Sequence, residues 1–114
     1  MILIKNKILP PKGFKCLNLC GALLIRSDAS PMRPQDYNHE AIHTTQMKEL
    51  LYIPFYIWYV LEYIIRLFQY FFDAKWAYRN ISFEREAYDN QNDLDYLHHR
   101  PVFVWVRYLW SRSR

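Results

Sequence analysis

The sequence predicts an α+β fold: a short N-terminal β-hairpin or small sheet followed by a mostly helical body, in a single domain covering residues 1–114. Two features carry this expectation. Residues 1–33 mix strand-type apolar runs with Pro10, Pro11, Gly13 and Pro31, whereas residues 34–114 place apolar residues at helical steps between few breakers. A chain of 114 residues leaves little room for a second core, and with 52% hydrophobic residues it is too apolar to stay disordered.

Residues 2–27 read as extended, and Leu17, Leu19, Leu23, Leu24 and Ile25 supply apolar side chains for two short strands and a turn. Residues 27–34 form a loop that seeds a helix. Proline at a first helical turn loses nothing, because its missing N–H would be unpaired there anyway. That helix is expected over residues 34–51, with Pro54 as a break, and a second helix continues to residue 73. A third is expected to begin near Asn80 or Ser82, both good N-terminal capping types, and to carry Glu84 and Glu86. A last short helix or strand starts around Pro101.

The first of these helices carries His39-Glu40-Ala41-Ile42-His43, the pattern H-E-x-x-H. Residues four apart on a helix stand one above the other, so both imidazoles reach one point and can share a metal ion. Glu40, one step along, approaches that point from the side, where a general base is needed for a water activated by zinc. Catalytic zinc requires a third protein ligand and an open fourth position. The extended pattern with a histidine six residues after His43 fails, because Glu49 stands there. A carboxylate from a later helix must serve, and residues 82–89 offer Glu84 and Glu86, which face different directions and cannot both bind one ion. Gln46 shares the face of His39 and His43 and is a candidate pocket residue.

With these residues the sequence resembles the gluzincins, metallopeptidases that carry H-E-x-x-H on one helix and E-x-x-A-[DN] on a following one. Glu84 and Ala87 match the second motif, 41 residues beyond His43 in the case of Glu84, while Tyr88 replaces its final Asp or Asn and Asp89 follows. The chain is also similar to minigluzincins, very small members of about this length that pair a short sheet with an active-site helix and a glutamate helix. The resemblance rests on the two short motifs and the order of elements. It implies a zinc-dependent peptidase with His39, His43 and Glu84 as ligands, Glu86 in reserve and Glu40 as general base. It also implies a peptide or protein substrate held in extended form by an edge strand, expected here at residues 21–27. Tyr88 is a candidate donor to an oxyanion, or else a packing tyrosine.

Residues 50–72 are apolar enough to raise the question of a membrane span. Glu62, Arg66, Gln69 and Asp73, however, follow steps of four, three and four along one helical stripe, with Tyr52, Tyr56, Tyr59, Tyr63 and Tyr70 beside it. Ile53, Ile57, Val60, Ile64, Phe68 and Phe71 lie opposite. A spanning helix has no use for such a stripe, so the segment reads as amphipathic: a core helix of the domain, or a helix lying in a membrane interface.

The same segment supports a second reading, a non-enzymatic module that meets a membrane surface or a partner protein and holds a structural or vestigial zinc site. No acidic residue follows Asp95, and Arg100, Arg107, Arg112 and Arg114 alternate with Phe103, Trp105, Tyr108 and Trp110. A net charge of +4 is modest and does not favour nucleic acid as the partner. With Gly13 and Gly21 as the two glycines there is no phosphate-cradling loop, which argues against nucleotide chemistry. Cys16 and Cys20 are too few for a disulfide scaffold and too far from His39 for a zinc-finger spacing, so they read as small apolar strand residues. His98 and His99 read as exposed. Lys5, Asn6, Lys7 and Pro10-Pro11 break the first apolar run, so no secretory signal is expected and the expected location is cytoplasmic, free or peripheral at a membrane.

Overall fold

A computed structural model describes residues 2–11, 14–28 and 31–110. Strands β1 (Ile2–Asn6), β2 (Cys16–Leu19) and β3 (Ala22–Arg26) form a sheet in the order β1-β3-β2. The expected hairpin is β2–β3, antiparallel with Cys16 opposite Ile25, and its two-residue turn places Cys20 and Gly21 at positive φ (52° and 93°), as a tight hairpin requires. β1 adds a third, parallel strand with Ile2 opposite Ala22. β3 is therefore the central strand, and the edge strand next to the helices is β2. This corrects the expectation of an edge strand at residues 21–27: β3 is paired on both edges, with Leu23 and Ile25 buried on one face and Leu24 half-buried on the other.

Helix α1 (Pro34–Glu49) starts, as expected, at its proline, and Asp36 folds back to accept from the Arg33 backbone N–H at 2.9 Å. Asp36 also accepts from Lys15 Nζ at 2.7 Å, and Asn18 Nδ2 donates to the Glu40 carbonyl (3.0 Å) and Thr44 Oγ1 (3.1 Å), which ties β2 onto α1. α1 ends in a turn where Leu51 and Tyr52 both hold positive φ, and α2 (Ile53–Gln69) leaves it at a bend of 111°. Helices α4 (Ser82–Asn90) and α5 (Tyr96–His99) follow, and a 3₁₀ helix (Val104–Leu109) stands where the sequence left a short helix or strand. Met47, Phe55, Ile81, Phe83 and Trp105 form one buried cluster, and Ile42, Ala87 and Tyr96 a second between α1 and α4.

Three expectations are corrected. The second helix stops at Gln69, and a separate α3 (Ala74–Arg79) begins after Asp73, whose carboxylate accepts from the Trp76 N–H at 3.0 Å; Asp73 is a cap and not part of the polar stripe. At the start of α4, neither Asn80 nor Ser82 caps the helix. The Ser82 N–H and hydroxyl instead donate to Glu62 of α2, both at 2.6 Å. Arg100 does not stand with the other basic residues of the C-terminal segment on a surface for a membrane or partner, because its guanidinium is buried between Glu49 and Glu86. Arg112 and Arg114 lie outside the described residues. His98 and His99 are exposed, as expected.

The orientation of α2 is the largest departure. A core helix turns its apolar stripe inward, and α2 does the reverse: Phe55, Glu62 and Arg66 are buried, while Ile53, Ile57, Val60, Ile64 and Phe68 are exposed. Glu62 accepts from Arg66 Nη2 at 3.0 Å and from Trp58 Nε1 at 3.1 Å, and Arg66 also donates to the Leu109 carbonyl at 2.9 Å. The polar stripe is thus the tether of α2 to α4 and to the 3₁₀ helix. Among the described residues no single helix is long and apolar enough to cross a membrane, and the bent pair α1–α2 passes that test only together.

Replacing Glu62 by Ala would leave Arg66 and Ser82 facing a buried void. The expected loss of stability is about 3–5 kcal/mol, the cost of breaking one side of a buried ion pair, read as a lower midpoint in urea. An unchanged midpoint would show that this contact does not hold α2 to α4.

Candidate metal centre

His39 and His43 lie on the buried face of α1, one turn apart. His43 Nδ1 meets Gln46 Oε1 at 2.8 Å, and the Gln46 amide nitrogen donates to the Phe83 carbonyl (3.1 Å) and Glu86 Oε1 (3.0 Å). Those two acceptors fix the amide so that its oxygen faces the ring. His43 Nδ1 then carries a proton, which leaves Nε2 as the ring nitrogen available to a cation. His39 Nδ1 is held in the same manner by Gln91 Oε1 at 2.8 Å.

The two Nε2 atoms are 3.1 Å apart, and Glu84 Oε1 stands 3.1 Å from each. Three electron-pair donors converging on one buried point repel one another unless a proton or a cation lies among them. Ligands of a tetrahedral zinc are about 3.3 Å from one another, so the triangle fits a small divalent ion. Among the described residues, His39, His43 and Glu84 are the group able to hold an ion. Glu84 Oε2 accepts from the Tyr59 hydroxyl at 2.7 Å, so each candidate ligand is oriented by a neighbour, as metal ligands commonly are.

The charges of the site are strongly coupled. Burial pulls the His43 imidazole down, but the Glu84 carboxylate against it outweighs this and pushes it up to about 9. Burial pushes Glu84 up, and the two imidazoles more than reverse that, holding it well below the usual carboxylate range. Glu40 is raised, chiefly by burial, with the imidazoles opposing. It lines the same cleft as the three ligand residues, a space of about 1000 Å³ bordered by β2, α1, α2 and α4.

Tyr88 also lines the cleft, with its ring edge-on to His39 at 4.5 Å between centroids. The Arg79 guanidinium covers its other side at 3.6 Å, and its hydroxyl is hydrogen-bonded to that of Tyr78. Glu86 is turned away from the imidazoles: it accepts from Gln46, from the Tyr96 hydroxyl at 2.8 Å and from Arg100. Between the two candidate carboxylates, it is Glu84 that the fold brings to the histidines, and Glu86 supports Gln46 from behind. Cys16 and Cys20 do not join them. Cys16 faces Glu40, where burial first and then the Glu40 and Asp36 carboxylates push its thiol up to about 12. Sequence reasoning missed Tyr59, Tyr78, Gln91 and Asn18. Tyr59 was visible within the tyrosine row of α2, whereas nothing in its neighbours marks Gln91, which follows the end of α4.

Comparison with protein families, with curated proteins and with solved structures finds no match to this chain.

Two outcomes follow from this geometry. Gln46→Leu removes a fully buried amide and takes one hydrogen bond each from His43 Nδ1, the Phe83 carbonyl and Glu86, so stability should fall by about 2–4 kcal/mol and metal affinity by about 10–100-fold. Denaturant melts and competition with a chelator read both; a variant as stable and as tight as the wild type would contradict the arrangement. Separately, iodoacetamide at pH 8 should label exposed Cys20 well before Cys16, whose rate should climb about tenfold per pH unit up to about pH 12, because its raised pKa leaves little thiolate below that. Equal labelling at pH 8 would place Cys16 away from Glu40.

Proposed function

We propose that this chain is a zinc-dependent metallopeptidase of the gluzincin type, with His39, His43 and Glu84 as ligands and Glu40 as general base. The observation that carries the reading is the convergence of three buried donor atoms, with mutual separations of 3.1 Å, beside a carboxylate with a raised pKa in an open cleft. The family resemblance adds to it, since Ala87 is fully buried against Ile42 between α1 and α4, where a larger side chain would keep the helices apart.

Zinc bound by two imidazoles and a carboxylate would act as a Lewis acid and bring the pKa of its water towards neutrality. Glu40, raised towards the working range of a base, takes the proton of the attacking water and returns it to the leaving amine nitrogen. The Tyr88 hydroxyl, held by Tyr78 and by the Arg79 stack, donates to the oxyanion that develops on the former carbonyl. β2 borders the cleft with one edge unpaired in the sheet, and an extended peptide can add to it by backbone hydrogen bonds.

Elemental analysis of the purified protein should find about one zinc per chain, lost in His39→Ala and in Glu84→Ala. Glu40→Gln should keep the metal and lower turnover of a quenched-fluorescent peptide library by at least about 100-fold. Full activity in Glu40→Gln would overturn the mechanism, and a bound metal other than zinc would overturn the choice of cofactor.

A further inference from the structure

α2 is built with its polar side inward. Its buried half carries the Glu62–Arg66 pair, fixed to Ser82 and to the Leu109 carbonyl. Its outer half carries Ile53, Ile57, Leu61, Ile64, Ile65 and Phe68, all exposed. Over the roughly 25 Å of this helix the outer half bears no charge. Trp58 Nε1, its hydrogen-bonding group ahead of Gln69, is already bonded to Glu62 of the same helix.

The apolar face continues past both helix ends at a conformational cost. Leu51, Phe71 and Phe72 hold φ of 58°, 55° and 64°, the left-handed region that bulky residues avoid at a cost of about 1–3 kcal/mol each, and they are 78%, 92% and 65% exposed. Strained backbone at each end therefore keeps large apolar side chains outside.

Protein interfaces carry roughly one hydrogen bond per 100–200 Å², and this face offers no free donor or acceptor before Gln69. A helix that turns its ionic pair inward and only hydrocarbon outward matches what lipid, not another protein, requires. Lys48 and Lys75 flank α2 in the sequence and are exposed, Lys75 also bordering the cleft; cations at the helix ends suit anionic headgroups, while Asp73 between Phe72 and α3 is engaged as a cap. The neighbouring 3₁₀ segment also exposes Val106, Arg107 and Trp110.

We propose that the outer face of α2 docks on a phospholipid bilayer, lying in the interface with its isoleucines and Phe68 among the acyl chains and the basic residues at headgroup level. Tyr59, on the other side of α2, bonds Glu84, so docking would bring the candidate metal centre within about one helix diameter, roughly 10 Å, of the lipid. The docking itself rests on α2 and not on the peptidase reading.

The full-length protein is floated with phosphatidylcholine vesicles and with vesicles that also contain phosphatidylglycerol. It should rise with both, more with the anionic ones, and the triple variant Ile57→Glu/Ile64→Glu/Phe68→Glu should lose flotation more than about tenfold while keeping its helical circular dichroism and its metal content. In case that variant fails to fold, wild-type tryptophan emission is measured with vesicles of brominated acyl chains, where quenching is expected. Wild-type protein that stays at the bottom with both vesicles, or shows no quenching, overturns the proposal. So does binding to anionic vesicles alone that salt reverses, which would reduce the contact to the basic tail. A dimer split by the triple substitution, without flotation, would assign the face to a second copy of the chain.

Discussion

One buried amide sets the spacing on which the site depends. Gln46 sits on α1 one turn beyond His43, and its oxygen and nitrogen point opposite ways: the oxygen to the imidazole, the nitrogen to the Phe83 carbonyl and Glu86 of α4. Helix α1 supplies two of the converging donors and α4 the third, so the register between these helices decides whether they meet. Ala87 and Ile42 allow the close approach but do not select a register, because apolar contacts are not directional. The amide does, since a shift of one residue would break its three buried hydrogen bonds at once. Arg100 and Tyr96 extend the constraint, holding Glu86 in place from the far side and tying Glu49 of α1 to the same carboxylate.

A second constraint positions α4 from its start. Glu62 receives both the N–H and the hydroxyl of Ser82, two residues before Glu84, and Tyr59 of the same helix bonds Glu84 itself. α2 thus holds the beginning of the glutamate helix and the glutamate together. This explains why its charged stripe faces inward, and it has a consequence for the surface. A helix can present one stripe to the protein, and by giving it the polar one α2 leaves hydrocarbon outside. Orientation of the candidate carboxylate ligand and exposure of the apolar face are two results of one choice.

The parts of this arrangement that were legible in the sequence are the local ones. The convergence of His39 and His43 follows from helix geometry over four residues, and the α+β division follows from where prolines and strand-type residues concentrate. The stripe of Glu62 and Arg66 was legible as a stripe. Its direction was not, because periodicity separates two faces of a helix without saying which one meets the protein. Asp73 followed the same spacing by coincidence and caps α3. Glu84 over Glu86 came from resemblance to a motif; the physical reason, that Arg100 and Tyr96 claim Glu86, involves residues 10 and 14 positions away. Gln91 was beyond reach for the same reason, and Tyr59 was legible as one of a tyrosine row but not as the partner of Glu84, because such partners are set by packing between elements.

The energetics of the centre bear on how a chain of this size holds it. Two imidazoles and a carboxylate sunk between α1 and α4 replace apolar side chains that would have joined the clusters around Ile42 and Phe83. Taking such groups out of water costs several kcal/mol, and their hydrogen bonds to Gln46, Gln91 and Tyr59 recover only part of it. In the metal-free chain the Glu84 carboxylate, 3.1 Å from His43 Nε2, favours the protonated imidazole, and the imidazole in turn favours the ionised carboxylate. A divalent cation at the same point would supply two charges where the proton supplies one, and would satisfy all three lone pairs instead of two. On the proposed reading, then, metal uptake and folding are one equilibrium. An ion completing the buried triangle would then stabilise the fold by its own binding free energy.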